Sequence, residues 1–263
     1  MMQKLDLKLA PGEAAYFASD FHLGAPDEAS SLEREKKIVR WLDSISTDCR
    51  YLFLVGDLFD FWFEYKHVVP RGYIRFLGKL AELSDKGVTI FLFTGNHDMW
   101  MFGYLEKQLN TRVFREPIQV DFGKTKVLVG HGDGLGPGDN TYKFLKRIFE
   151  NRLCQRLFGM LHPGIGFGIA RAWSGHSRVA NNKDETFLGE REFLWVYSKE
   201  KQAENHHDYY IFGHRHLPLD LPVGESSRYL NPGEWLNHCR FIRFDGQQME
   251  MKEWEPASPN SAQ

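Results

Sequence analysis

Five short stretches carry the side chains best suited to chemistry: Asp20-Phe21-His22, Gly56-Asp57, Gly95-Asn96-His97-Asp98, Gly130-His131 and His214-Arg215-His216. Each offers carboxylate, amide or imidazole donors, and each directly follows a short apolar run. Singly, an Asp-x-His or Gly-Asp is more often a turn than a ligand, because Gly, Asn and Asp favour turns. Five such motifs, all just past an apolar run, are hard to assign to turns alone. Seven of the side chains, Asp20, His22, Asp57, Asn96, His131, His214 and His216, suffice for two metal ions if one carboxylate is shared. Mixed oxygen and nitrogen donors suit Mn²⁺, Fe²⁺ or Zn²⁺ better than Ca²⁺. Two ions about 3.5–4 Å apart can hold a bridging hydroxide and clamp a phosphoryl oxygen for in-line attack at phosphorus.

The elements that must position these groups are readable from the same runs. Ala14–Asp20, Tyr51–Asp57, Val88–Gly95, Lys126–His131 and Asp208–His214 are of strand length and end in turn chemistry. In an extended segment residues i and i+2 point the same way, so Asp20 and His22 are expected to meet one ion while Phe21 enters the core. His214 and His216 repeat the arrangement. Helical periodicity over Leu32 to Ile45 and Tyr73 to Lys86 gives a βαβαβ alternation, which predicts a buried sheet covered by helices. Ligands outside the carboxyl ends of neighbouring strands then converge on one crevice.

Beyond His131 the expectation is a long helical stretch, Thr141 to Trp173, broken around Pro163-Gly164. A further helix follows over Glu185 to Lys201, then a β meander from Leu217 to Trp254. The Pro-, Ser- and Asn-rich tail, 256–263, is expected to be flexible. Trp62, Phe63 and Tyr65 are expected to seal the core.

Composition narrows the class. A chain of 263 residues, 42% hydrophobic and 14% aromatic, can bury one large core, so a single domain over 1–255 is expected. The net charge of −2 does not mark a nucleic-acid binder, and nothing calls for an obligate protein partner. Three scattered cysteines (Cys49, Cys154, Cys239) argue against a disulfide framework or a Cys-rich zinc site and fit a reducing compartment. No run has signal-peptide or membrane-spanning length, so a cytoplasmic protein is expected, with surface attachment to a membrane left open. A metal-binding scaffold without catalysis is disfavoured by the complete donor set.

In order and spacing the five motifs resemble those of the calcineurin-like metallophosphoesterases, over about residues 14–234. That resemblance implies an α/β fold, a four-layer αββα sandwich with its dinuclear site at the sheet edge. It implies that Asp20, His22, Asp57 and His216 hold one ion, and that Asp57, Asn96, His131 and His214 hold the other. His97 would lie near the substrate phosphate and stabilise its charge or protonate the leaving oxygen, with Asp98 orienting it. An N-cap is the alternative for Asp98.

Asp20–Gly24, Gly56–Trp62 and His131–Leu135 narrow the resemblance to the UDP-2,3-diacylglucosamine hydrolases. Those enzymes use Mn²⁺ to cut the diphosphate of a lipid-linked nucleotide sugar, releasing UMP and 2,3-diacylglucosamine 1-phosphate for lipid A synthesis. They dock on the inner face of the cytoplasmic membrane. An inserted helical lid would span about 141–180, with substrate contacts at Asn96, His97, Asp139, Ser177, Asn181, Lys183 and His214. One departure is His97, where these hydrolases commonly carry Arg; a soluble-substrate phosphodiesterase or nucleotide pyrophosphatase of the superfamily is therefore the second reading. Arginine is a fixed planar cation, whereas histidine can be neutral at pH 7.

The lid region supports a lipid-like ligand by its own chemistry. From Tyr142 to Arg178 stand seven basic residues against one acid, Glu150, so the stretch carries +6 and the remainder −8. Phe144, Leu145, Ile148, Phe149, Leu153, Leu157, Met160 and Leu161 interleave with them at near-helical spacing. A basic amphipathic helix fits an anionic membrane surface and a cap over an acyl-chain groove. The alternative is that the apolar positions pack the helices on the domain core while the basic ones are solvated.

Overall fold

The computed structural model describes residues 2–170 and 186–254. One sheet runs in the order β12 (Met249–Glu253), β11 (Arg240–Phe244), β2 (Ala14–Ala18), β3 (Cys49–Val55), β4 (Thr89–Phe93) and β5 (Arg112–Phe114), with β2 to β5 mutually parallel. The other runs β1 (Lys4–Leu7), β6 (Ile118–Phe122), β7 (Thr125–Gly130), β8 (Tyr209–Phe212), β10 (Ser227–Asn231) and β9 (Leu219–Val223), with β7 and β8 parallel at its centre. Helices α1 (Glu28–Ile45) and α2 (Ile74–Asp85) cross over between the first strands.

Both faces of each sheet are covered, which explains why the strands read as unbroken apolar runs. Alternate residues serve different layers. Leu52 and Leu54 pack outward with Ile38, Trp41, Leu42, Phe76 and Leu80 of the two helices. Tyr51, Phe53 and Val55 pack inward against Val120, Val127, Val129 and Ile211 of the facing sheet. A third cluster joins Leu128, Tyr210, Phe212 and Tyr229 to Leu194 of α7 (Phe193–Glu204). The layers are helix, sheet, sheet, helix, as expected.

Several elements differ from expectation. β1 (Lys4–Leu7), β5 and β6 (Ile118–Phe122) were not anticipated; β1 and β6 pair, and Gly123 lets β6 turn back on β7. The expected C-terminal meander is instead two hairpins in different sheets. β9 (Leu219–Val223) and β10 (Ser227–Asn231) extend the β7–β8 sheet, whereas β11 (Arg240–Phe244) and β12 (Met249–Glu253) join β2. The helix expected from Glu185 begins at Phe193. Gly189, at φ +60°, opens a tight turn before it, and Glu192 is drawn into a buried ion pair.

The long helical stretch breaks earlier than its proline predicts. Asn151 ends α4 (Asn140–Glu150) and, accepting from Leu153 N and Cys154 N, caps α5 (Arg152–Gly159); a third helix, α6, occupies 163–170. Neither α4 nor α5 buries a residue fully, and Phe144, Leu153, Leu157 and Met160 stand exposed. An aromatic seam holds these helices to the sandwich. Phe61 meets Phe167, Phe63 meets Phe158, and Trp100 lies between Phe149 and Phe158 while donating Nε1–H to Phe149 O at 2.9 Å. Trp62 and Phe63 are buried, as expected, Phe63 at the edge of this seam beside the half-buried Tyr65.

Candidate metal centre

Every donor stands just past the carboxyl end of a parallel strand: Asp20 and His22 after β2, Asp57 after β3, Asn96 after β4, His131 after β7, His214 and His216 after β8. The loops after β2 and β3 are zipped together by Asp20 N to Gly56 O, His22 N to Asp57 O and Leu23 N to Leu58 O, all near 3.0 Å. The backbone is not extended here. Asp20, His22, Asp57, His214 and His216 all adopt positive φ, between 44° and 67°. The i, i+2 pairs converge because both residues of each take the left-handed conformation, which costs a non-glycine residue about 1–2 kcal/mol.

Donor atoms of Asp20, His22, Asp57 and His216 lie within 4.8 Å of one another, as do those of Asp57, His131 and His214. Asp57 is common to both groups. Within the first, His22 Nε2 faces His216 Nε2 at 2.9 Å, and His216 Nε2 is 3.4 Å from Asp20 Oδ1. Within the second, His131 Nε2 is 3.3 Å from both Asp57 Oδ2 and Asn96 Oδ1. Its Nδ1 is 2.9 Å from Val55 O, which fixes the proton on Nδ1 and leaves Nε2 as the donor atom.

These residues fit a pair of divalent cations. Asp57 Oδ2 is fully buried with no hydrogen bond among the described residues, while His22 and His131 aim nitrogens at it from 4.0 and 3.3 Å. A buried anionic oxygen without a donor is costly unless a cation meets it. Two glycines make room. A Cβ on Gly95 would stand 2.2 Å from Asp57 Oδ1, and one on Gly56 would stand 2.5 Å from His131 Nδ1.

Electrostatics place opposite charges side by side. Burial alone would raise the Asp57 carboxyl and lower His131, but their mutual attraction prevails. Asp57 is held well below the ordinary carboxylate range and His131 is pushed up to about 10. Burial, aided by the His131 charge, lowers His214 to about 4, and burial with the His216 charge lowers His22. His22 and His214 are therefore held neutral, the form that can ligate.

His97 does not rest on Asp98. Its Nδ1 lies 3.1 Å from Asp60 O and 3.8 Å from Asp60 Oδ1, and its ring stands edge-on to His22 at 5.0 Å. Asp98 is wholly buried, accepting from Gly95 N at 2.8 Å and Leu58 N at 2.7 Å. It ties the two loops bearing Asp57 and Asn96 together. No helix begins at Asp98, so it is not an N-cap either. Burial, then the charge of Asp57, pushes its pKa up to about 7.

Among the expected substrate contacts, Asp139 caps α4, its Oδ1 accepting from Tyr142 N at 3.2 Å. Ser177, Asn181 and Lys183 lie outside the described residues.

Sequence reasoning missed the supports. Arg34 of α1 donates to Phe21 O and His22 O at 2.7 and 2.6 Å, bracing the first donor loop from below. Asp133 accepts from Tyr142 Oη at 2.7 Å and pairs with Lys146 Nζ at 2.8 Å, fastening α4 to the loop that follows His131. Asp60, three residues after Asp57, was visible as a second acid in the motif, but only the fold assigns it to His97.

A family model of calcineurin-like phosphoesterases matches residues 15–218. A UDP-2,3-diacylglucosamine hydrolase of Porphyromonas gingivalis is 37% identical over 254 residues, covering 91% of this chain and 97% of that protein. Proteins of the same name from Neisseria meningitidis serogroup B and Aeromonas salmonicida are also similar. The first is 31% identical over 56% of this chain and 60% of its own length; the second is 27% identical over 83% and 85%. With its donors gathered at the strand ends and a match spanning most of its length, the chain belongs to the calcineurin-like phosphoesterase family as a hydrolase similar to the UDP-2,3-diacylglucosamine hydrolases.

Proposed function

We propose that this hydrolase cuts the diphosphate of UDP-2,3-diacylglucosamine, giving UMP and 2,3-diacylglucosamine 1-phosphate, the lipid A precursor. The observation that carries the substrate reading is an insertion with exposed apolar side chains, Phe144, Leu153, Leu157 and Met160, fastened to the His131 loop through Asp133 and Lys146. Acyl chains need such a surface, and a soluble nucleotide does not. Its basic residues suit the anionic inner face of the cytoplasmic membrane, where the protein would dock peripherally. Among the described residues no helix is long and apolar enough to cross a membrane.

In this reading Asp20, His22, Asp57 and His216 hold one cation and Asp57, Asn96, His131 and His214 the other, with Mn²⁺ the proposed ion for so mixed a donor set. The pair of cations, when bound, supplies Lewis acidity and an activated water for attack at phosphorus. The remaining work belongs to the chain. Asp60 O accepts from His97 Nδ1–H, so His97 Nε2 is the atom available to the phosphate, as acceptor when neutral and as donor when protonated. Asp98, through Gly95 N and Leu58 N, keeps the Asp57 and Asn96 loops in register. Asp139, with Ser177, Asn181 and Lys183, is the proposed contact to the nucleotide sugar.

The test compares turnover, with Mn²⁺, of UDP-2,3-diacylglucosamine, the unacylated UDP-sugar and bis-p-nitrophenyl phosphate. The acylated substrate should be cut to UMP faster by orders of magnitude. Equal rates on all three would reject the lipid reading and favour a general phosphodiesterase.

A further inference from the structure

Between His214 and His216 stands Arg215, whose side chain is only 1% exposed. Its Nε donates to Glu192 Oε1 at 2.5 Å, and its Nη2 donates to Glu192 Oε2 at 3.1 Å and to Thr186 O at 3.0 Å. Glu192 is fully buried. The guanidinium also lies over the Phe193 ring, 5.5 Å from its centroid, and that ring meets the His214 imidazole edge-on at 6.1 Å.

Thr186, Glu192 and Phe193 all belong to the segment on which the chain returns from the helical insertion into α7. The loop bearing two imidazoles is thus clamped to that segment, with both histidines in the left-handed conformation on either side of the clamp. A buried ion pair is a weak device for stability, because apolar residues of similar volume often serve as well. A two-pronged guanidinium–carboxylate contact does something apolar packing does not: it fixes direction and register.

We propose that Arg215 is a positioning residue, which sets the aim of His214 and His216 by locking their loop to Glu192 and Thr186; the inference rests on these histidines being metal ligands. Its consequence is that metal affinity depends on how the chain re-enters the sandwich after the insertion.

The test is Mn²⁺ titration by calorimetry, with elemental analysis of bound metal, on the full-length wild type, on Arg215→Lys and on the double variant Arg215→Met/Glu192→Leu. The double variant removes both charges together, so it is expected to melt within a few degrees of wild type while binding Mn²⁺ at least tenfold more weakly at one site or both. Arg215→Lys keeps the charge but loses the fork, and the same tenfold loss is expected of it. A folded double variant with wild-type stoichiometry and affinity would overturn the proposal. If the double variant does not melt cooperatively, wild-type binding by Arg215→Lys would overturn it instead. A wild type that takes up no Mn²⁺ would remove the underlying ligand assignment, an outcome recognisable before any variant is measured.

Discussion

Asp57 is the residue on which the two donor groups converge, and its Oδ2 has His131 on one side and His22 on the other. Asp57→Ala should therefore lose both cations and nearly all turnover; a variant still carrying two metal equivalents by elemental analysis would contradict the shared role. Gly95→Ala tests the same carboxylate from behind, since the added methyl would press on Asp57 Oδ1. Overpacking of this kind costs about 1–3 kcal/mol, measurable by urea titration, and metal occupancy should fall with it. At this scale the sequence was informative about donors, because each one follows an apolar run and nothing else in the chain does so five times. It was silent on their supports. Positive φ at Asp20 and His22, the Asp60 carbonyl beneath His97 and the fork of Arg215 all arise from contacts between segments far apart in the chain.

Among the elements, the helical insertion is fastened through contacts that include the Lys146–Asp133 pair and the seam around Trp100. Trp100→Ala should weaken the second, by less than the about 3–5 kcal/mol of a fully buried tryptophan. Limited proteolysis should then cut within 141–170 before the sandwich, with the donor cluster still able to take up metal. Between α7 and β8, burial lowers the pKa of His207, whose Nδ1 rests 3.0 Å from Asn205 O. Unfolding restores its pKa to about 6.5, so the unfolded chain binds the extra proton. Its neutral state therefore costs nothing above that pH, and stability is lost as pH falls below it. Denaturant melts of His207→Leu from pH 8 to 5 should show a shallower decline than wild type. The inner strands and first two helices were readable because strands buried on both faces must be apolar and α1 and α2 are amphipathic. β1, β5 and the partner choice of β11 and β12 were not, because pairing between distant segments leaves no local periodicity. The break at Asn151 was hidden by an unbroken amphipathic pattern; its side chain simply suits a cap better than a helix interior.

For the whole molecule, the decisive feature is that the donors come from two sheets. Asp20, His22, Asp57 and Asn96 extend from one, and His131, His214 and His216 from the other. Cations bound by the folded state alone stabilise it by about 2.7 kcal/mol at a hundredfold excess over Kd. Chelation should thus lower Tm by several degrees, readable by calorimetry with and without excess EDTA, and Asp57→Ala should lose most of that difference. The same division between sheets bears on biosynthesis. A polypeptide still leaving the ribosome, with His214 and His216 not yet made, has neither donor group complete. Metal loading can follow only once β8 has slotted in beside β7, so an occupied centre certifies that the two central strands of that sheet have come together.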